Sequence, residues 1–82
     1  MISMREDLVK ACRLYLKGNI EKHKVNVENM MENSVGVGSN SDIMESLEKE
    51  LTLIAEYENK LEVLNKYFSL DYEPKNKEVL NG

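Results

Sequence analysis

The sequence predicts an all-α protein, an antiparallel two-helix hairpin that dimerises into a four-helix bundle. Two segments, about 4–32 and about 42–68, carry apolar residues every three or four positions, which is the spacing of one helix face. A glycine-rich stretch over 33–41 separates the two segments. With 82 residues and one cysteine, the chain is short for a large core and forms no internal disulfide. A second subunit is therefore the expected source of further stability.

The first predicted helix starts at a capping box, in which the side chains of Ser3 and Glu6 each bond the other residue's backbone N–H. Its main apolar stripe consists of Val9, Cys12, Leu16, Ile20, His23, Val27 and Met30. Leu8 and Tyr15 lie beside this stripe and widen it. A stripe of this width has room for more than one neighbouring helix.

Gly18 leaves two interpretations of this helix open. A Lys-Gly pair resembles a helix C-terminus, and glycine costs about 1 kcal/mol relative to alanine within a helix. The apolar stripe nevertheless keeps its phase across Gly18. The helix either breaks there or continues through a tolerated or closely packed glycine.

The segment 33–41 is predicted to be a turn that reverses the chain. Gly36 and Gly38 permit positive φ, and Asn40 or Ser41 is the expected N-cap of the next helix. Glycines ahead of a helix N-terminus also resemble a phosphate-binding loop. However, the segment lacks the lysine of a P-loop motif, and Asp42 would repel an anion, so a structural turn is favoured.

The second predicted helix carries a heptad stripe. Its positions are Leu47, Ile54, Leu61 and Phe68, interleaved with Ile43, Tyr57 and Leu64. Glu50 is the exception in the interleaved series. After residue 70 the period is lost, and Pro74 disfavours helix at Glu73. The chain is thus expected to form one helical hairpin over 1–70, followed by a mobile tail over 71–82.

Helices of these lengths span roughly 43 and 40 Å, which suits a hairpin, and their wide stripes would expose apolar surface unless a second copy covered it. A homodimer is therefore expected. Its predicted interface consists of Leu47, Ile54, Tyr57, Leu61, Leu64 and Phe68 with Leu16, Ile20 and Val27. Residues 1–32 have six basic against five acidic side chains and 42–68 have three against seven, which favours contact between unlike helices.

The charge of the chain argues against nucleic-acid binding, secretion and membrane insertion. A net charge of −4 and a pI near 5.0 disfavour general nucleic-acid binding. Charges within the first turns interrupt any apolar run that would serve as a signal peptide or membrane span, so a cytoplasmic protein is expected.

No residue pattern predicts a catalytic, metal or cofactor site. His23 is the only histidine, and Cys12 lies about 16 Å away along the same helix, so both are interpreted as packing residues. We therefore expect a non-enzymatic protein without a cofactor. The alternative is an acidic regulator of a basic or nucleic-acid-binding host protein. Its acidic face would be Glu45, Glu48, Glu56 and Glu62.

The segment from Val25 to Leu51, with the I-A-E-Y-E-N-K-L-E-V-L-N-K-Y-F run that follows, resembles a group of small helical proteins of tailed bacteriophages, especially those of marine cyanobacteria. That group has a central N-P-V-G-V-G-E-H-P-D-I pattern between two helices. This chain has serine at both proline positions, Ser34 and Ser41, and Ser39-Asn40 in place of Glu-His. It matches at Asn33, Val35, Gly36, Val37, Gly38, Asp42 and Ile43. The resemblance implies a phage-encoded helical hairpin in the host cytoplasm, and it implies no catalytic residues. For the self-associating protein, a host or virion protein is the expected further partner.

Overall fold

The computed structural model describes residues 3–33 and 40–69, and within them the protein consists of two packed helices and no strand. Helix α1 runs over Met4–Asn33 and helix α2 over Asn40–Phe68. Side chains near the start of α1 contact the end of α2, and those in the second half of α1 contact the first half of α2. The helices are therefore antiparallel, and the predicted all-α hairpin is confirmed.

The N-terminus of α1 has the predicted capping box. The Glu6 backbone N–H donates to the Ser3 hydroxyl at 3.1 Å, and the Ser3 backbone N–H donates to Glu6 Oε1 at 3.0 Å. Two backbone donors that the first helical turn leaves without partners are thereby satisfied, which explains why the helix begins at residue 4.

Helix α1 continues through Gly18 without a break. A Cβ added at Gly18 would have no atom within 4 Å, so the glycine is not there to admit a close neighbour. Of the interpretations left open by the sequence, the tolerated glycine is the one that the structure supports. Packing of the stripe on both sides of Gly18 outweighs its weak helix propensity.

Both helices extend slightly beyond their predicted bounds. α1 includes Asn33, whose amide donates at 2.9 Å to the Asn29 carbonyl one turn earlier, and α2 begins at Asn40. The conformation of the reversal itself and the predicted mobility of the tail over 71–82 lie outside the described residues.

The core of the hairpin is small and lies on one helix. Among the described residues, the buried hydrophobic side chains are Val9, Leu16, Ile20 and Val27, all on α1, and none is fully buried. His23 is buried among them. The stripe of α2 faces this core but remains half-buried at Ile43, Leu47, Glu50, Ile54, Tyr57, Leu61 and Leu64. Each helix thus covers one side of the other and leaves the rest of its apolar surface open.

Candidate interaction surface

The residues predicted for the interface lie along the seam between α1 and α2. Leu16, Ile20 and Val27 are buried there within a single chain. The members of the set on α2 are half-buried, apart from Phe68, which is 51% exposed at the helix end. The α1 residues therefore support the hairpin, and most of the surface left for another molecule belongs to α2 and to the two sides of the seam.

One side of the seam has little charge on α1, where Arg5 borders it at the start of the helix. Successive helical residues are about 100° apart, so the side chains next to the buried stripe form one row on each side. On this side α1 presents Leu8, Cys12, Tyr15, Asn19, Asn26 and Met30, and α2 presents Leu53, Tyr57, Leu64 and Phe68. We call this set the neutral flank.

Two open grooves show that both helices contribute to the neutral flank. One groove, of about 330 Å³, is lined by Arg5, Leu8, Val9, Cys12, Leu64 and Phe68. The next, of about 350 Å³, is lined by Cys12, Leu16, Asn59, Lys60, Val63, Leu64 and Phe68. The charges at their rims already have partners, because Arg5 donates to the Phe68 carbonyl at 3.3 Å and Lys60 Nζ lies 5.1 Å from the Tyr57 ring centroid. The grooves are therefore apolar in their centre.

The opposite side of the seam is charged. There α1 presents Lys10, Arg13, Lys17, Glu21, Lys24 and Glu28, and α2 presents Glu58 and Glu62 together with the exposed hydrophobic residues Met44 and Leu51. Contacts on this side are polar, since Arg13 Nε donates to Asn65 Oδ1 at 3.1 Å and Lys24 pairs with Glu21 at 3.2 Å. We call this set the charged flank, and its composition is that of a solvated helix surface.

A polar cluster interrupts the apolar seam at its middle. His23 Nδ1 lies 2.6 Å from Glu50 Oε1, and the Asn26 amide donates to the same oxygen at 3.1 Å. The Tyr57 ring stacks on His23 with centroids 5.9 Å apart and an angle of 15° between the planes. An ionised carboxylate only accepts hydrogen bonds, so the His23 Nδ1 must carry the hydrogen when Glu50 is charged. Glu50 Oε1 thus accepts from both polar side chains that α1 contributes to this layer.

Two side chains of this cluster, Glu50 and Tyr57, have shifted pKa values. The hydrogen bond from His23, followed by that from Asn26, holds the pKa of Glu50 below its ordinary value, against the opposing effect of burial. Burial raises the pKa of the Tyr57 hydroxyl, and the neighbouring Tyr15 hydroxyl adds to the increase. The first shift shows that the carboxylate form of Glu50 is stabilised by its partners on α1.

His23 and Glu50 both stand out in the sequence, but the sequence analysis does not predict that they contact each other. His23 stood on the first stripe and Glu50 was the exception in the second. Residues 23 and 50 are almost equally distant from the middle of the 33–41 turn, so folding the two stripes onto each other about that point would have paired them. The near-equal distance of the two residues from the turn is the sequence feature that predicts their contact.

The arrangement offers hydrogen bonding and apolar contact. His23 with a carboxylate partner resembles the orienting half of a catalytic triad, but the one cysteine is three helical turns away, at about 16 Å of helical rise. Within 3–33 and 40–69, the structure has no group of three or more His, Cys, Asp or Glu side chains arranged to hold a metal ion. Neither described helix combines the length and apolar character needed to cross a membrane.

Comparisons of the chain with protein-family models, with curated proteins and with solved structures find no match. The resemblance to phage proteins therefore stays a prediction.

Proposed function

We propose that this chain is a non-enzymatic helical protein that acts through self-association, with the homodimeric four-helix bundle as its working form. The observation that carries the proposal is the one-sided core. Among the described residues only α1 has buried hydrophobic side chains, and the whole stripe of α2 remains partly open to water. A stripe of leucine, isoleucine and tyrosine side chains is stabilised when another apolar surface removes it from water, at roughly 25 cal/mol per Å².

Other exposed hydrophobic side chains support the same proposal. Leu8 and Tyr15 on α1 are 68% and 64% exposed in the hairpin, and Leu51 and Tyr67 on α2 are 50% and 48% exposed. Single exposed hydrophobic residues are normal on a protein surface, but Leu8 lines an apolar groove between the two helices. A dimer covers such a groove with the same surface of a second copy.

The phage resemblance suggests where such a bundle would act. A phage-encoded protein of this size would assemble in the host cytoplasm and use its remaining surface to contact a host or virion protein. Nucleic acid is not a proposed partner, because the chain is acidic.

Light scattering coupled to size-exclusion chromatography tests the proposal at micromolar concentration. The expected result is twice the chain mass of 9.5 kDa. A helical chain that runs as a monomer under these conditions would contradict the proposal.

A pair of variants refines the test. Leu61→Asp should dissociate or unfold the protein, because it forces a charge into the half-buried seam. Glu62→Asp is the neighbouring control at an exposed position and should leave the mass unchanged.

A second proposed function is an acidic regulator that occupies the surface of a basic host protein. It is favoured by the charge of α2, where Glu45, Glu48, Glu56 and Glu62 are all exposed. Glu45 and Glu48 also border an open apolar depression with Leu53. Reversing these four charges to lysine should abolish capture of a basic partner. Unchanged affinity for a captured basic partner would rule this function out.

A further inference from the structure

We infer that the neutral flank is the surface that receives the second copy, with the two-fold axis running parallel to the helices. The inference rests on the proposed self-association and adds which surface is used and how the copies are oriented. It predicts which residues of the two copies are neighbours, and cross-linking of single cysteines tests each predicted contact.

The chemistry of the two flanks favours the neutral one. On α1 the neutral flank is bordered by one charged side chain, Arg5 at the helix start, whereas the charged flank presents six. Covering a charged row would require each charge to find a partner or lose its hydration. Both flanks have an apolar groove. The groove beside Val27 and Ile54 is bordered by Glu21, Lys24 and Glu28, whereas the grooves of the neutral flank continue the hairpin's own core through Val9 and Leu16.

The polar residues of the neutral flank are already hydrogen-bonded within one copy. The Asn26 amide donates to Glu50, and the Asn19 amide donates to the Tyr15 carbonyl at 2.9 Å. Burying a polar group costs little when its hydrogen bond persists in the buried state. Each asparagine therefore keeps one hydrogen bond when this side of the hairpin is covered.

Charge decides between the two ways in which two neutral flanks can meet. A two-fold axis parallel to the helices places α1 of one copy on α2 of the other, whereas an axis perpendicular to them, in the plane of the interface, places α2 on α2. α1 has six basic and five acidic side chains, a net charge of +1, and α2 has three and seven, a net charge of −4. The parallel axis joins unlike charges and separates the two acidic helices, which favours a second copy in this orientation.

The parallel axis brings the two Cys12 side chains together. Neighbouring helices in bundles lie about 8–10 Å apart, so the two α1 helices would lie diagonally, roughly 11–14 Å apart. Cys12 points between the buried stripe and the neutral flank, towards the centre of such a bundle, because it lines both grooves. With Cα atoms about 2.3 Å from each helix axis, the two Cys12 Cα atoms would be roughly 7–9 Å apart. That span suits a short bis-maleimide better than a disulfide, which needs about 4.4–6.8 Å.

The perpendicular axis makes a different prediction. With the axis at the middle of α1, near residue 18 or 19, the two Cys12 residues would be displaced by roughly 20 Å along the helices at about 1.5 Å per residue. A short bis-maleimide would not bridge them, although it would bridge two cysteines placed at residue 19. Cross-linking through Cys12 therefore distinguishes the parallel from the perpendicular axis. Cross-linking through a cysteine at residue 19 shows that the neutral flank is the interface, whichever axis applies.

The experiment treats the full chain with a short bis-maleimide and measures covalent dimer on a denaturing gel, with light scattering of the untreated protein in parallel. Three proteins are compared: the native chain, Cys12→Ser with Asn19→Cys, and Cys12→Ser with Lys17→Cys on the charged flank. Circular dichroism checks that each is helical. We expect the first two to become mostly covalent dimer and the Lys17 variant to stay monomeric on the gel.

The remaining outcomes separate the two proposals. A dimer by light scattering that fails to cross-link through Cys12 would overturn the inference while the proposed function stands. Cross-linking at residue 19 without cross-linking at Cys12 would identify the perpendicular axis, and efficient cross-linking through the Lys17 variant would move the interface to the charged flank. A monomer by light scattering would instead refute the proposed function itself.

Discussion

His23 and Glu50 meet across the middle of the hairpin, with Nδ1 of the ring 2.6 Å from Oε1 of the carboxylate. On both sides of this pair the seam is apolar, with Ile20 and Val27 next to it on α1. A polar pair at one position of an apolar seam penalises every other register, because any shift leaves both groups facing hydrocarbon. We therefore interpret the pair as the feature that sets how α1 and α2 align.

A double-mutant cycle tests whether His23 and Glu50 act as a unit. His23→Leu and Glu50→Leu should each lower the free energy of unfolding by about 1–3 kcal/mol, because each leaves a partner without its hydrogen bond. The double variant should lose clearly less than the sum, since both polar groups are gone and the seam becomes continuous. Urea unfolding at one fixed protein concentration gives the coupling energy, and additive losses would show that the contact does not stabilise the fold.

The same pair predicts that the free energy of unfolding depends on pH in the acidic range. Since the pKa of Glu50 is lower in the folded than in the unfolded chain, its contribution to stability is complete above the unfolded value, about 4.3. It decreases as the pH falls through the lowered pKa of the folded state. The difference in unfolding free energy between the native protein and Glu50→Gln should thus shrink as the pH falls below roughly 4.3. An equal difference at pH 3 and pH 7 would contradict this assignment.

Leu8 and Leu14 form a matched pair for the location of the interface. They are 68% and 70% exposed in the hairpin, but Leu8 lines a groove of the neutral flank and Leu14 lies on the outer face of α1. Leu8→Glu should weaken the dimer by roughly tenfold or more, because burying a carboxylate costs more than about 1.4 kcal/mol. Leu14→Glu changes the net charge equally and should leave the dimer intact. Sedimentation equilibrium measures both, and the same dissociation constant for the two variants would argue against the neutral flank.

Gly18 should be replaceable with a gain in stability. It lies inside a continuous helix, and a Cβ there meets no atom within 4 Å. Gly18→Ala should therefore raise the free energy of unfolding by about 0.5–1 kcal/mol through helix propensity. Ala11→Gly, at another exposed position of α1, should lower it by a similar amount. Thermal unfolding monitored by circular dichroism measures the two changes, and a destabilised Gly18→Ala would indicate a contact with another molecule at that position.

Most of the fold was predictable because it depends on short-range patterns. The 3.6-residue period, the Ser3 capping box and the matched segment lengths each act within a few turns of helix, and together they predict two antiparallel helices. The uncertainty at Gly18 came from propensity alone, which is weak compared with packing over the whole of α1.

Local patterns in the sequence are enough to predict two antiparallel helices, their stripe residues and the opposite charge balance of α1 and α2. The contact of Glu50 with His23 and Asn26 becomes visible only in the folded hairpin. The same is true of the location of the buried hydrophobic side chains, which among the described residues lie on α1, and of the unequal charge on the two flanks of the seam. These properties depend on the rotation and register of one helix against the other. Both are set by many weak contacts between residues far apart in the chain, which no local pattern records.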